Sequence, residues 1–138
     1  MIVLDTNVLS VLMQTQPDPT VIAWLDRQPN TSIWTTSITV LEIRFGLQIM
    51  ATSKRCATLM HGFELLLEKI AHRIAPFDLE AADHASDLMA FRHKKGRPVE
   101  LRDTMIAGII IARHAVLATR NVTNFQDAGI GVINPWKT

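Results

Sequence analysis

A chain of 138 residues with a formal net charge of +1 and one cysteine, Cys56, is sized for a single domain, residues 1–138, with its own core. It can close no internal disulfide, which suits a reducing cytoplasm. The charge balance does not by itself announce a nucleic-acid binder, and the longest apolar run, 105–112, is far too short to span a bilayer, so no membrane partner is expected. Hydrophobic residues make up 48% and charged residues 20%, against about 45–50% with glycine included and about 25% in ordinary domains. A large core accounts for that excess, and so does a surface covered by a partner.

The chain opens on "MIVL", a buried strand by its branched apolar residues, and Asp5 then interrupts the apolar stretch that a secretory signal would need. The pattern is helical from there through about residue 13. "PDPTVIAWLDRQP" predicts a short second helix, with Asp18 at the N-cap, Pro19 at the first helical position and Val21, Trp24 and Leu25 on its apolar face. "TSIWTT" at 31–36 alternates like a strand, and "SITVLEIRFGLQIM" follows as a helix capped by Ser37 or Thr39. A further helix runs from about Lys54 to Ile70, burying Leu59, Phe63, Leu66 and Ile70.

"RIAPF" gives a third strand, and Asp78 caps a helix through Phe91 that stops at "KKGRP", with Gly96 as C-cap and Pro98 as terminator. Residues 102–114 form the next helix, "AVLAT" a strand, 123–128 a helical turn and "GVI" the last strand. Strands starting near Ile2, Ser32, Arg73, Ala115 and Gly131 thus alternate with helices, and no hairpin signal such as Asn-Gly occurs. The expected class is α/β: a central parallel sheet of about five strands between two helical layers.

Four polar residues sit awkwardly in this plan. Asp5 stands at the carboxyl end of the first strand, where open parallel sheets gather functional groups, although it also suits a helix cap. Glu42 falls inside the stripe Ile38, Phe45, Ile49, with no lysine or arginine three or four residues away to pair with it. A salt bridge to a distant arginine is the competing reading. Asp103 begins a helix, where the macrodipole favours an acid, yet its face continues through Ile106, Ala107 and Ile110. Asn121 follows the strand "AVLA", an ordinary place for a turn residue.

In a parallel α/β layout all four can converge on one sheet edge. Carboxylates packed together repel and require a compensating cation. Oxygen ligands favour magnesium or manganese over zinc, and no histidine or cysteine cluster argues otherwise.

The series "LDTN", "SITVLEIRFGL", "RDTMIAGIIIARH", "LATRNVTNF" and "NPW", in that order and spacing, resembles the PIN domain family, in particular VapC-type toxins of the FitB branch. The likeness spans essentially the whole chain. It implies a three-layer α/β/α PIN-like fold with the first strand central. It also implies a magnesium-dependent endoribonuclease, Mn2+ substituting for Mg2+, that cuts structured RNA at exposed single-stranded sites. Further implications are a homodimer, neutralisation by a cognate antitoxin protein, and contact with operator DNA only through that antitoxin. The family's metal-binding and catalytic positions fall on Asp5, Glu42, Asp103 and Asn121, the last an amide where many relatives carry aspartate.

The basic group Arg92, His93, Lys94, Lys95 and Arg97 reads as a solvated helix end complementing its dipole, or, with Arg102, as a holder of RNA phosphates. The three tryptophans read as core. A haloacid-dehalogenase-type phosphatase wants a second aspartate where Asn7 stands. A receiver domain wants adjacent acids after the first strand, where "VL" precedes Asp5. Dinucleotide-binding and P-loop fingerprints are absent. An inactive module that keeps only the fold and partner surface is the remaining alternative.

Overall fold

The computed structural model describes residues 1–70, 73–98 and 100–138. Its strands β1 (Ile2–Leu4), β2 (Ile33–Thr36), β3 (Ile74–Ala75), β4 (Val116–Ala118) and β5 (Gly131–Ile133) form a five-stranded sheet in the order β3-β2-β1-β4-β5. Every pairing is parallel, with Ile2 opposite Ile33 on one side and Val116 on the other. β1 is therefore central, and each return to the sheet's amino edge is made through helix.

The helices are α1 (Thr6–Leu12), α2 (Pro19–Asp26), α3 (Ser37–Ile49), α4 (Lys54–Lys69), α5 (Leu79–Lys94) and α6 (Leu101–Arg113). The two-residue period of the strands divides them into layers. Val3 and Leu117 face Ala81 and Leu88 of α5 and Ile106, Ile109 and Ile110 of α6. Leu4 and Ala118 face Val8 and Leu9 of α1, Val21 and Trp24 of α2, and Phe63 of α4. Each large side chain buried this way contributes about 1.5–3 kcal/mol, so both sheet faces are committed to core. Gly108 lets α6 approach α5 closely: a Cβ there would stand 2.5 Å from the Ala81 carbonyl oxygen and 2.8 Å from the Ala85 Cβ.

Four expectations change. Thr36, not Ser37 or Thr39, caps α3, because the last strand residue keeps the extended backbone that lets its hydroxyl accept from the Thr39 N–H. α5 continues past Phe91 to Lys94, and Gly96 at φ +63° follows its cap, Lys95. The turn expected at 123–128 is a 3-10 turn over Val122–Phe125. Finally, Phe45 and Ile49 are 54% and 69% exposed. The row of α3 that packs inward is Val40, Ile43 and Leu47, which lies against the α1 and α4 layer and turns the other row outward. Of the tryptophans, Trp24 is buried, while Trp34 and Trp136 are half-buried against the two core clusters.

Candidate active site

The chain builds β1, β2 and β3 outward on one side of the sheet and then crosses to β4 and β5 on the other. The switch falls between β1 and β4, the position at which open α/β sheets leave a crevice beyond their carboxyl ends. Asp5 emerges there from β1, and its backbone N–H still bonds to the Ala118 carbonyl of β4. Its Oδ1 caps α1 by accepting from the Thr6 N–H at 2.8 Å, and its Oδ2 accepts from Thr119 Oγ1 at 2.7 Å. Asn7 Nδ2 lies farther, 3.4 Å from the same Oδ2. The side chain is thus held in one rotamer at 3% exposure. Burial raises its pKa to about 6 despite the bonds from Thr119 and Thr6, and the charges of Asp103 and Glu42 push in the same direction.

Glu42 arrives from α3. Its Oε1 accepts from Thr6 Oγ1 at 2.8 Å, so Thr6, the first residue of α1, holds two acids from different elements, Asp5 through its N–H and Glu42 through its hydroxyl. Burial raises the Glu42 pKa, with Glu100 and Asp103 adding to the rise, while Thr6 and Arg102 oppose it. Asp103 sits in the first turn of α6 and accepts from Asn124 Nδ2 at 2.9 Å. Its pKa is raised by burial first and by Glu100, against Asn124, Arg92 and Arg102. Asp5, Glu42 and Asp103 are therefore close enough to feel one another's charge across three elements.

Asn121 is placed differently. Its backbone N–H donates to Thr119 Oγ1 at 3.1 Å, but among the described residues its exposed side chain makes no hydrogen bond. The amide that touches Asp103 is Asn124, one turn later. Sequence reasoning also passed over Thr6 and Thr119, whose hydroxyls orient Glu42 and Asp5, and over Glu100.

Arg92 departs most from its reading as a solvated residue. It is buried, with Nε and Nη2 bidentate on Asp127 at 2.9 and 2.7 Å, Nη1 on Thr104 Oγ1 at 2.8 Å and Nη2 also on the Asn124 carbonyl at 2.7 Å. It clamps the turn carrying Asn124 to the helix carrying Asp103, and its buried guanidinium, with four of five N–H donors used, is committed to the fold rather than to RNA. Its signal was its register: Ala81, Ala85, Leu88 and Arg92 form one helical row.

Among the described residues no group of three or more His, Cys, Asp or Glu side chains is placed to hold a metal ion. Magnesium does not need one, since it keeps several waters and takes one or two carboxylates. An oxygen-only donor set whose carboxylates are destabilised first by burial and then by neighbouring acids fits a hydrated divalent ion.

The family model described as PIN domain matches residues 2–130. The VapC ribonuclease Y4jK of Sinorhizobium fredii is 41% identical over 138 residues, and Toxin FitB of Neisseria gonorrhoeae is 33% identical over 137, each match covering 99% of both chains. The crystal structure of FitAcB from Neisseria gonorrhoeae superposes with a TM-score of 0.90 at 32% identity, covering 100% of both chains. With the parallel sheet, the acids at its switch point and a match along nearly its whole length, the chain belongs to the PIN domain family.

Proposed function

We propose that this chain is the toxin of a toxin–antitoxin pair and acts as an endoribonuclease, hydrolysing RNA phosphodiester bonds with Mg2+, for which Mn2+ substitutes. The observation that carries this reading is the convergence of Asp5, Glu42 and Asp103 with pKa values raised by burial and by neighbouring acids. The names of the relatives, a ribonuclease and a toxin, support it. When bound, the ion lowers the pKa of a water and polarises the scissile phosphate.

Asp5 and Asp103 would hold that ion through one or two carboxylates with its waters completing the shell, and Glu42 would act on those waters. Thr119 and the Thr6 N–H fix Asp5, Thr6 Oγ1 fixes Glu42, and Asn124 fixes Asp103. Asn121 stands at the exposed rim, where its amide meets substrate or an ion's water. Lys94 and Lys95, exposed at the end of α5, remain available to RNA phosphates where Arg92 does not.

The partners are a second copy of this chain and a cognate antitoxin protein. The exposed row Leu41, Phe45 and Ile49 along α3 is one apolar surface for them. A groove of about 450 Å³ between α3 and α4, lined by Leu47, Met50, Met60 and Phe63, is a second. A net charge of +1 suits contact with operator DNA only through the antitoxin. No helix among the described residues is long and apolar enough to cross a membrane, and cytoplasmic residence goes with the RNA substrate.

The test is cleavage of total RNA by purified protein in Mg2+, Mn2+ and EDTA, with sequencing of the new ends. Metal-dependent cuts lost in Asp5→Asn are expected. Equal cleavage with EDTA, or none under any metal, overturns the proposal.

A further inference from the structure

Arg102 lies next to Asp103 in the first turn of α6, across the mouth of the acidic cleft. Its Nε donates to Glu100 Oε1 at 2.8 Å, and its Nη1 stands 3.9 Å from Glu42 Oε2. The guanidinium therefore spans from the start of α6 to the middle of α3. Glu100 is a long partner for the Arg102 N–H, at 3.4 Å, and its closer bond is to the side chain, so it serves as a tether more than as a helix cap.

The contrast with Arg92 is one of commitment. Arg92 is buried with all three guanidinium nitrogens bonded to neighbouring elements. Arg102 is 41% exposed, has one close hydrogen bond, and only approaches Glu42. Most of its five N–H donors remain for a phosphate, for which the planar guanidinium is shaped.

We propose that Arg102 is the resident counter-cation of the cleft, standing on Glu42 when no ion is bound and exchanging with a divalent cation for that carboxylate. Released from Glu42 but still tethered by Glu100, it turns its free donors to the RNA phosphate. This inference rests on the metal-dependent ribonuclease reading above and adds to it a competition between an internal cation and the external one. Four carboxylates, Asp5, Glu42, Asp103 and Glu100, lie near enough to act on one another's charge, so loss of Arg102 leaves them short of positive charge rather than relieved of it.

The experiment is calorimetric titration of Mn2+ into the RNA-free full chain, comparing wild type, Arg102→Gln and Arg102→Lys. Arg102→Gln is expected to bind Mn2+ about three- to tenfold more tightly, the effect of removing one unit charge 3.9 Å from the Glu42 carboxylate under surface screening. Arg102→Lys keeps the charge and stays near wild type. RNA binding is measured separately in an Asp5→Asn background. There Arg102→Gln weakens binding and reduces the salt slope by about 0.7, as for one lost contact to single-stranded phosphate. Unchanged or weaker Mn2+ binding in Arg102→Gln overturns the proposal, as does equal behaviour of the Gln and Lys variants. Wild type that cleaves RNA with metal while Arg102→Gln leaves Mn2+ affinity unmoved removes only the exchange. Wild type that neither binds Mn2+ nor cleaves removes the reading beneath it.

Discussion

Asp5 caps α1 and is buried among acids, and these two conditions oppose each other in its ionisation. Two good hydrogen bonds favour the carboxylate, yet burial prevails and the pKa stands at about 6 rather than 3.8. Between those values the folded chain holds a proton that the unfolded chain has released. This group therefore favours the metal-free fold at pH 4, and that contribution is lost as pH rises through about 6. Thermal melts in EDTA should show Tm falling over this range from Asp5. Asp5→Asn should flatten the dependence and raise stability at pH 7 by about 1–3 kcal/mol, while abolishing cleavage. An amide retains the Thr6 cap, but Thr119 Oγ1 already accepts from Asn7 Nδ2 and the Asn121 N–H, so its bond to the side chain is lost and the gain falls at the low end of that range; a variant less stable than wild type at pH 7 would refute this account. The two asparagines divide in the same way. Asn124→Ala removes the donor on Asp103, a bond to a charged group worth about 1.5–3 kcal/mol, and should lower kcat at least tenfold. Asn121→Ala, which breaks no side-chain bond, should cost less than threefold by comparison of initial rates. Equal losses would show that Asn121 reaches the reacting groups after all.

At the scale of elements, α5 and α6 show what a sequence conveys and what it withholds. The alternation of strand and helix was legible because each segment carries its own period and its own punctuation, such as Asp18-Pro19 and Asp78. Asp5 and Asp103 were legible as acids at element ends. Glu42 was legible through its missing helical partners, although the stripe invoked for it was the outward row of α3. Two rows of similar hydrophobicity compete on that helix, and only the packing of α1 and α4 decides between Phe45 and Ile43. Arg92 was misread because its partner Asp127 lies 35 positions away, and local pattern carries no record of such a pair. Its removal is correspondingly costly. Arg92→Ala leaves Asp127 and Thr104 without their shared donor and should destabilise the fold by about 3–5 kcal/mol, measured by urea unfolding. Replacing Lys94 and Lys95 should leave stability within about 0.5 kcal/mol and weaken only RNA binding. If Arg92→Ala proves as mild as the lysine changes, the clamp between α5, α6 and the Asn124 turn has no energetic weight.

For the whole molecule, the question is what covers the apolar surface that the fold leaves outside. Both faces of the sheet are filled by helices, so the excess of hydrophobic residues cannot all go to core. Leu41, Phe45 and Ile49 recur at every fourth position of α3 and stay exposed, forming a continuous row rather than scattered single residues. Such a row on a chain with net charge +1 meets little electrostatic resistance to association. Its position also matters: Glu42 shares the helix, so a chain seated on this row lies beside the acids, and a basic side chain brought there could take a place otherwise held by metal. Phe45→Asp combined with Ile49→Asp should therefore separate association from folding. Because both side chains are exposed, Tm should move by only a few degrees. In light scattering at high concentration wild type should have the mass of a dimer and the double variant that of a monomer, with antitoxin binding measured in parallel. A wild type that stays monomeric, or a double variant with unchanged mass and unchanged antitoxin affinity, would show that this row is merely solvated.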